Sequence, residues 1–570
     1  MNVTPQAALT QRLRAALEAC SLPSGRGEVV AAADTRFGDY QANAAMVLAK
    51  ETKRNPRELA AQIAEKFDGG EICAKPEIAG PGFLNFRLGP AWVSAQLHAL
   101  SEDARCGVPP ADKPLKVIID FSSPNIAKPM HVGHIRSTIL GDALARVARF
   151  LGHEIVTDNH LGDWGTQFGK VLYGWKHMLD REALGRDPIA EMTRLYREVN
   201  ALEQTDKEVH REARAELVNL QQGDPENRAI WQELVDLSWA EFGNIYERLG
   251  IRFDERLGES FYDPALAEMV ERLLASGTAE VSEGAVCIFF RDIPALADKP
   301  SLIRKGDGGF LYATTDLATI EYRIGRWNPD AVWYVTGAPQ QLHFQQIFAA
   351  ARRMGIGTAL EHIAFGSILG EDHKLMKTRS GDNVPLRDLL DEAVARARAM
   401  IDEKNPDLPE EEKKHIARVV GLGAVKYAEL SQHRMTDYVF SWSKMLSLQG
   451  NTAPYLQNAY VRVRSIFRKL GTGVGPADSI SFSHPVELAL AKKLLQFGEI
   501  VPTVLHEFRP NLLANYLFET ANAFHTFYEA CPVLKASDAE RHSRLILCET
   551  TARVLRQGLD LLGVEVPERM

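Results

Sequence analysis

The segment from Lys116 to Gly152, KVIIDFSSPNIAKPMHVGHIRSTILGDALARVARFLG, joins an apolar run to a helix-periodic stretch through a short loop. A strand that ends at Phe121 and a helix that starts near His131 put His131 and His134 at a helix N-terminus. Free backbone N–H groups and the helix macrodipole favour phosphate there. Residues three apart share one helix face, so both imidazoles can point at one anion. The segment therefore predicts a phosphate site within an α/β unit.

Two more residues of this segment suit a nucleotide. Gly133 leaves room for a flat base or a ribose to approach the backbone closely. Lys128 adds a cation, and a lysine with two imidazoles can stabilise the charge that builds on a phosphoryl group during transfer. An HxGH sequence also occurs by chance at helix starts and in halves of metal sites, so these four residues alone leave the alternatives open.

Length and charge bound the class of protein. The chain has 570 residues, with 45% hydrophobic and 25% charged residues, which is typical of a soluble protein of two to four domains. The formal net charge is −9, so a nucleic-acid partner must bind to local basic patches. GxxxxGK[ST], GxGxxG, HExxH and GxSxG motifs are absent from the contexts that would make them functional, which disfavours several common enzyme classes.

Targeting and cysteine patterns predict a cytoplasmic protein. The N-terminus is interrupted by Arg12, Arg14 and Glu18 and has no apolar core, so it does not resemble a signal peptide. No apolar run approaches the ~18 residues that a membrane span requires. The scattered cysteines form no CxxC pair, which predicts reduced thiols with no zinc site and no disulfide framework. They are Cys20, Cys73, Cys106, Cys287, Cys531 and Cys548.

Two proline-rich, polar stretches, 105–114 and 402–414, read as exposed connections between folded units. They predict three domains: 1–110, 111–400 and 401–570. In the middle domain, strands that alternate with helices predict a parallel sheet covered by helices, with a charged helical insertion at about 170–250. From about Glu411 onward the pattern is helical, which predicts a bundle. The candidate strands of the parallel sheet are KVIIDF, HEIVTDNHLG, GAVCIFF, DAVWYVTG and HIAFGSIL.

A longer pattern around the histidines, SPNIAKPMHVGHIRST, resembles the HIGH signature of class I aminoacyl-tRNA synthetases, in the form found in arginyl-tRNA synthetases. Further segments resemble the same family in the same order, so the resemblance covers essentially the whole chain. These segments are FGDYQANAAM, AGPGFLNFRL, NHLGDWGTQFG, FDERLGESFY, GDGGFLYATTDLATIEYR, GNTAPYLQNAYVR and the ending GVEVPERM.

The resemblance implies a fold and a reaction. The fold is α/β: a Rossmann-type parallel-sheet catalytic domain, a small α/β N-terminal domain that contacts tRNA, and an all-α C-terminal anticodon-binding bundle. The reaction is that of an arginine–tRNA ligase, which forms arginyl-adenylate and pyrophosphate from arginine and ATP. The arginyl group then moves to the 3′-terminal ribose of tRNA(Arg), with the 2′-hydroxyl as first acceptor. Activation requires bound tRNA, Mg²⁺ accompanies ATP without a protein ligand cage, and the enzyme is expected to be a monomer.

The resemblance also assigns the arginine site. Glu259, Tyr312 and Asp316 match the positions that bind the guanidinium group. Carboxylates set for bidentate pairing suit that group and reject a lysine ammonium. Tyr312 and Asp316 are four apart and would lie on the same side of a helix start. The amino-acid backbone groups are assigned to Ser123, Asn125 and Gln340.

The second signature of class I enzymes, a KMSKS-type loop, has a degenerate counterpart here. The chain reads HKLMKTRSGDNVPL, so that Lys374, Lys377, Thr378 and Arg379 are the candidates for holding ATP phosphates. The degenerate loop lacks part of the positive charge that a KMSKS loop places near the ATP phosphates. In arginyl enzymes of this kind, the resemblance assigns that charge to Lys128. The sequence also departs from a frequent family form before Gln340, where Gly337 and Pro339 replace an aspartate and an arginine.

On the tRNA side, NAYVRVRSIFRKLG carries Arg462 and Arg464 among aromatic residues, a pattern that suits phosphate contact together with base stacking. A basic helix face is also commonly just solvated. The family position adds Trp442, Tyr455 and Met570 as tRNA contacts.

Two other functions stay open at this point. Another HxGH nucleotidyl transferase would act on a small metabolite. A synthetase-like protein would bind tRNA without catalysis. The expected partners under the main interpretation are tRNA(Arg), arginine and ATP, with no DNA and no membrane.

Overall fold

A computed structural model describes residues 3–374, 376, 384–471 and 480–570. The chain forms two compact units. The first consists of Met1–Ala111 together with Ser447–Met570, and the second is Asp112–Leu446. The boundaries predicted from the sequence, at 110 and 400, stay predictions.

The N-terminal part of the first unit packs helices on a small antiparallel sheet, whose strand order is β1-β2-β4-β3. Helix starts follow sequence signals: Thr4 Oγ1 accepts a hydrogen bond from the N–H of Ala7, and Asn55 caps α3 ahead of Pro56. The elements are α1 (Pro5–Ala19), β1 (Val30–Ala31), β2 (Tyr40–Ala42), α2 (Ala44–Thr52), α3 (Pro56–Lys66), β3 (Glu77–Ala79), β4 (Phe83–Phe86) and α4 (Pro90–Glu102).

The second unit alternates strands with helices, and a long series of helices interrupts the alternation. Its elements are β5 (Lys116–Phe121), α5 (Val132–Phe150), β6 (Glu154–Asp158), α6 (Gln167–Met178), α7 (Arg181–Arg186), α8 (Pro188–Leu202), α9 (Lys207–Gln222), α10 (Pro225–Leu249), α11 (Glu259–Ala275), β7 (Glu280–Ser282), β8 (Ala285–Ile288), β9 (Ser301–Arg304), α12 (Tyr312–Trp327), β10 (Ala331–Val335), α13 (Gln341–Arg353), β11 (Ala359–His362), β12 (Ile368–Leu369), α14 (Leu386–Lys404), α15 (Glu410–Leu430), β13 (Tyr438–Val439) and α16 (Trp442–Met445).

A parallel sheet with the order β11-β10-β5-β6 forms the centre of this unit. Val117, Ile118 and Ile119 of β5 are all fully buried, as expected of a strand whose two faces are both covered. The chain proceeds from β5 to β6 on one side and from β10 to β11 on the other. The switch point therefore lies between β5 and β10, and ligands bind outside the carboxyl ends of strands at such a point.

Three strand predictions are wrong. GAVCIFF contributes β8 to a separate antiparallel sheet with β7 and β9, because Glu283 and Gly284 both have positive φ and form a tight hairpin. The fourth parallel strand is β11, which ends at His362, while β12 from HIAFGSIL pairs with β13 instead. The strand β13 also lies beyond Glu411, where only helices were predicted.

Helices α6 to α10 occupy the segment predicted as a helical insertion. Aspartates cap four of them, and in two cases a proline follows at the first helical position. The capping residues are Asp180, Asp187, Asp206 and Asp224.

The C-terminal part of the first unit is helical. Its helices are α17 (Ala453–Leu470), α18 (Pro485–Leu495), α19 (Phe497–His506), α20 (Pro510–Ala530) and α21 (Asp538–Leu561). A buried ion pair between Arg544 and Glu487, 2.7 Å apart, joins α21 to the start of α18.

The two parts of the first unit are tied together by polar contacts. Glu499 on α19 accepts hydrogen bonds from the N–H of Gln6 (2.7 Å) and from the hydroxyl of Tyr40 (3.0 Å). Lys492 on α18 forms a 2.7 Å ion pair with Asp39. These contacts join the N-terminal part and the helical bundle into one compact unit.

Candidate active site and nucleic-acid interface

The loop between β5 and α5 is held rigidly by neighbouring elements. Ser122 donates its N–H to Ser137 Oγ (2.8 Å), and its hydroxyl contacts Tyr246 of α10 at 2.8 Å. Ala127 donates its N–H to Ser238 Oγ of α10 at 2.9 Å. Ser122, Ser123 and Ala127 all have positive φ, a conformation that persists only where the surroundings enforce it. The insertion thus buttresses the loop that precedes the histidines.

His131 and His134 form a reciprocal cap at the start of α5. His131 Nδ1 accepts the N–H of Gly133, and His134 Nδ1 accepts the N–H of His131, both at 3.1 Å. Because each Nδ1 is an acceptor, the proton of each neutral ring lies on Nε2. The two ring centroids are 4.0 Å apart.

Both imidazoles are held in the neutral form. Burial, followed by the charge of His131, lowers the pKa of His134 to about 3. Burial, followed by the charge of Lys128, also lowers the pKa of His131. The pair therefore offers two uncharged Nε2–H donors at a helix N-terminus, a setting that suits phosphate oxygens.

Gly133 is required by the cap itself. A β-carbon there would lie 2.8 Å from Cε1 of His131, so any side chain would displace that ring. Lys128 extends over the ring of Tyr196 on α8, with Nζ 5.0 Å from the centroid. A cation–π contact of this kind holds the ammonium group close to the loop without neutralising it.

Of the second signature, Lys374 lies among the described residues, whereas Lys377, Thr378 and Arg379 lie outside them. Lys374 is exposed in a turn after β12, where its N–H donates to Asp372 Oδ1 and its carbonyl accepts from Gly370. On the far side of the loop, the N–H of Val132 donates to the carbonyl of Val384 (2.9 Å), so the chain returns from this segment directly against α5.

Two carboxylates meet where α11 and α12 begin. Burial, followed by the charges of Asp316 and Asp163, raises the pKa of Glu259 to about 8, although the N–H of Trp164 opposes the shift. Tyr312 lies beside this pair, since the charge of Glu259 contributes, after burial, to a raised pKa of its phenol. Tyr312 starts α12 and is 64% exposed, so its ring is open to an incoming ligand. A cation bound here would be favoured strongly.

Asp163 lies in the segment NHLGDWGTQFG and fixes the start of α11. Its carboxylate accepts the N–H (2.8 Å) and the hydroxyl (2.7 Å) of Ser260. Gly258 is needed for this contact, because a β-carbon there would lie 2.3 Å from Asp163 Oδ2. Asp163 thereby sets the position of Glu259, which is the first residue of the helix.

His343 on α13 was not predicted from the sequence. Its Nε2 lies 2.6 Å from Asp316 Oδ2. The only sequence signal is that His343 follows Gln340 by three residues, and nothing in that spacing reveals a partner on α12.

The three residues assigned to the amino-acid backbone groups lie in loops at the carboxyl ends of β5 and β10. The hydroxyl of Ser123 donates to Asp120 Oδ1 at 2.9 Å. Asn125 packs against Gly162, whose β-carbon would lie 2.1 Å from Asn125 Oδ1. Gln340 is exposed in the turn after β10. Asn125 and Gln340 flank the switch point of the sheet, although no contact joins them within the described part of the chain.

A buried arginine beneath the site also escaped prediction. Arg323 of α12 is fully buried, and its Nη2 donates to Asp120 Oδ2 of β5 and to Asp158 Oδ2 of β6, both at 2.7 Å. Breaking a buried network of this kind is strongly destabilising. Arg323 therefore anchors the helix that carries Tyr312 and Asp316 to strands β5 and β6.

In the helical bundle, Tyr455 and Arg462 lie on the same side of α17, next to α20. The hydroxyl of Tyr455 donates to Asn522 Oδ1 (2.6 Å), and its ring lies 5.1 Å from that of His525. Arg462 contacts His525 Nδ1 at 3.1 Å and lies over the ring of Tyr528. Cations among aromatic rings are characteristic of surfaces that bind single-stranded nucleic acid.

The other predicted tRNA contacts have different settings. Arg464 forms a 2.8 Å ion pair with Glu549 of α21. Met570 ends a segment that is tied to α17 by a bond from the hydroxyl of Tyr460 to Glu568 Oε1. Trp442 belongs to the second unit, where the guanidinium of Arg396 lies 5.2 Å from its ring centroid.

Across the described ranges, no group of three or more His, Cys, Asp or Glu side chains is arranged to hold a metal ion. No helix within these ranges has the length and apolarity needed to cross a bilayer.

Comparison with known families matches three consecutive parts of the chain. Residues 7–88 match the arginyl tRNA synthetase N terminal domain. Residues 97–442 match the catalytic domain of tRNA synthetases class I (R), and residues 456–570 match the DALR anticodon binding domain.

Similar proteins extend over the full length. The chain is 45% identical to an arginine–tRNA ligase of Synechococcus, covering 99% of this chain and 100% of that protein. It is 46% identical to the arginine–tRNA ligase of Cellvibrio japonicus, covering 99% of each. Among solved structures, arginyl-tRNA synthetase from Plasmodium falciparum superposes with a TM-score of 0.83 at 28% identity, covering 99% of each chain. The Thermus thermophilus arginyl-tRNA synthetase gives 0.83 at 26% identity, covering 99% of this chain and 100% of that one.

Proposed function

Because the chain belongs to the arginyl-tRNA synthetase family of class I tRNA synthetases, we propose that the residues at the carboxyl edge of its parallel sheet activate arginine and pass it to tRNA. The reaction is arginine–tRNA ligation. The arginine carboxylate attacks the α-phosphorus of ATP, pyrophosphate leaves, and the arginyl group of the adenylate moves to the 3′-terminal ribose of tRNA(Arg), releasing AMP. Activation is proposed to require bound tRNA.

The observation that carries this proposal is the carboxylate pair of Glu259 and Asp316. At neutral pH Glu259 holds a proton beside Asp316, a cationic ligand can replace that proton, and a planar guanidinium can engage both carboxylates. Tyr312 is proposed to cover the guanidinium. Ser123, Asn125 and Gln340 are proposed to hold the α-amino and carboxylate groups.

The phosphates of ATP are assigned to the start of α5. His131 and His134 donate through Nε2–H, while the backbone at Gly133 admits the nucleotide. Lys128 and Lys374 supply positive charge, and Lys377, Thr378 and Arg379 are proposed to act with them from the second signature. These groups act by positioning the reactants and stabilising charge, because the protein forms no covalent bond to the transferred phosphoryl group.

Mg²⁺ is proposed to enter as the counter-ion of the ATP phosphates, where it would neutralise part of their charge. Its ligands would come mainly from the nucleotide, since the described residues present no cluster of three metal-ligating side chains. No zinc is proposed.

For tRNA, we assign Tyr455 and Arg462 to stacking and phosphate contact, with Trp442 and Met570 as further contacts. Arg464 is engaged by Glu549, so it is assigned to holding α17 on α21 beneath that surface. The protein is proposed to act as a cytoplasmic monomer with tRNA(Arg), arginine and ATP as partners, and with neither DNA nor membrane. The domain roles are proposed as tRNA contact for 1–110, catalysis for 111–400 and anticodon binding for 401–570.

The two rival functions lose support from the full-length family match. A nucleotidyl transferase for a small metabolite would not need the anticodon-binding domain. A tRNA-binding protein without catalysis would not need a histidine pair that is held neutral or a matched carboxylate pair.

Charging of unfractionated tRNA with labelled arginine or lysine tests the proposal. We expect arginine alone to be incorporated, with AMP released only when tRNA is present. In His134→Asn, the amide oxygen can replace Nδ1 as a cap acceptor, but the Nε2–H donor is lost, so activity should fall roughly 100- to 1,000-fold. His134→Gln restores a donor at that position and should recover much of the loss. Equal activity in the two variants, or charging with lysine, would contradict the assignment.

A further inference from the structure

We propose that His343 is a positioning residue for arginine recognition, which holds one oxygen of Asp316 so that the other oxygen faces the guanidinium. This inference rests on the proposed function. The 2.6 Å contact between Nε2 and Oδ2 engages only one carboxylate oxygen. In the described part of the chain, no hydrogen bond from another residue reaches Oδ1. A carboxylate with one oxygen fixed and one open can present a defined edge to a planar cation.

Asp316 needs an outside donor because of its place on α12. The helix begins at Tyr312, and the N–H groups of Thr314 and Thr315 already donate to the carbonyl of Leu311, so the N–H groups that lack a helical partner precede Thr314. Asp316 is the fifth residue and cannot be held by them. The carboxyl group of Glu259 interacts electrostatically with Asp316, and once Glu259 is ionised their repulsion favours turning the Asp316 carboxylate away. His343 supplies the attraction that opposes this rotation.

The ring next to His343 does not compete with Asp316 for the Nε2 proton of His343. His362 of β11 is a neighbour of His343. Its ring stacks on Phe344 with the centroids 4.6 Å apart. The Nε2 atom of His362 is bonded to Thr336 Oγ1 at 2.8 Å. Burial lowers the pKa of His362 to about 4, so this neighbour is uncharged at neutral pH. Asp316 is thus the carboxylate that His343 serves.

The consequence is selectivity for the shape of the cation. A guanidinium offers a fork of parallel N–H donors, and it gains most from a carboxylate that is fixed in one plane. An ammonium group is a point charge and gains little from the same fixation. Loss of the His343 contact should therefore weaken arginine more than lysine, which remains attracted to the net charge of the two acids.

The experiment compares His343→Phe, which keeps a ring and removes the donor, with His343→Gln, whose amide N–H lies at the position of Nε2. ATP–pyrophosphate exchange in the presence of tRNA gives KM for arginine and for ATP. We expect His343→Phe to raise KM for arginine roughly tenfold with KM for ATP unchanged, and His343→Gln to restore it to within roughly threefold. The ratio of arginine to lysine exchange should fall in His343→Phe alone.

Gln346→Ala is the matched control. Gln346 lies one turn further along α13, and its amide donates to the carbonyls of Lys299 (2.9 Å) and Pro300 (3.3 Å). This variant loses bonds of the same helix but should leave both KM values unchanged. If His343→Phe fails to fold, His343→Asn replaces it, because its amide is too short to reach Asp316.

The outcomes separate the two levels of the proposal. A wild-type enzyme without arginine-dependent exchange would overturn the proposed function itself. An active wild type whose His343→Phe and His343→Asn variants keep the normal KM for arginine would overturn the role of His343 and leave the function intact. Parallel increases in KM for arginine and ATP, or a Gln variant as impaired as Phe, would show a merely structural residue and would also overturn it.

Discussion

In the proposed mechanism, the protonation of Glu259 controls when arginine can bind. Its pKa is raised to about 8 by burial first, then by Asp316 and Asp163. At neutral pH the free enzyme therefore holds a proton on Glu259, and a guanidinium must displace that proton to form a charged pair. The sequence identified this residue through a family motif, but the raised pKa follows from burial in the fold and then from Asp316 and Asp163, which lie far from it in the chain.

The pH dependence of arginine binding follows from that pKa. As pH rises toward about 8, KM for arginine should fall by up to about tenfold per unit, and above it KM should level off. Exchange assays at constant ATP between about pH 6 and 9 measure this. In Glu259→Gln, KM should be higher and nearly independent of pH. A wild-type KM that is flat across this range would contradict a protonated Glu259.

The start of α5 is the element to which the phosphates of ATP are assigned. Its histidines are predictable, since strand, loop and helix follow from apolar periodicity. The reciprocal cap is not predictable, because an imidazole that accepts a backbone N–H is an uncommon N-cap. The support of the preceding loop is not predictable either, because only the fold brings Ser238 and Tyr246 of α10 against it.

Gly133→Ala tests the cap as an element. The new β-carbon would meet the His131 ring at 2.8 Å, so the ring must move and the cap is lost. We expect activity to fall by at least roughly tenfold, with roughly 1 kcal/mol lost from the free energy of unfolding. Gly243→Ala on α10 is the matched control, because nothing lies within 4 Å of its β-carbon position. That variant should gain about 0.5–1 kcal/mol from helix propensity and keep full activity. A fully active Gly133→Ala would contradict the role of the His131 ring.

Sequence reasoning failed for one short hairpin strand and for side-chain contacts between distant segments. GAVCIFF is as apolar as a parallel core strand, and periodicity cannot distinguish such a strand from one in a hairpin. The hairpin signal was Glu283–Gly284, a two-residue turn between the short strands β7 and β8. Likewise, the contacts of Asp316 with His343 and of Arg323 with Asp120 and Asp158 join segments that only the folded sheet brings together.

At the scale of the whole molecule, the first unit joins the two ends of the chain through Glu499. Burial raises the pKa of Glu499 to about 7, although Gln6 and Tyr40 donate hydrogen bonds to it. An acid whose folded pKa lies above its unfolded value binds more protons in the native state at intermediate pH. Stability from this group is therefore lost as pH rises from about 4.3 to about 7.

Glu499→Gln removes that dependence while keeping an oxygen that can accept from Gln6 and Tyr40. Between about pH 5 and 8, the thermal midpoint of the first unit in wild type should fall more than in Glu499→Gln, and the two curves should converge at low pH. Calorimetric scans of the full chain across this range measure the difference. Parallel curves would show that Glu499 is already ionised at pH 5.

The order of family motifs along the chain was enough to predict three functional parts and the reaction, because each motif carries its own local chemistry. The grouping of residues 447–570 with the N-terminal part as one compact unit was not predicted. It depends on buried polar contacts, such as those of Glu499, whose partners are hundreds of residues away.

The most direct test of the central claim is ATP–pyrophosphate exchange with each of the twenty amino acids, with and without total tRNA. The carboxylate pair predicts exchange with arginine only, and the proposed tRNA-dependent activation predicts exchange only when tRNA is present. Exchange with a different amino acid would contradict the assignment of Glu259, Tyr312 and Asp316. No exchange under any condition would contradict the catalytic role of the histidine pair.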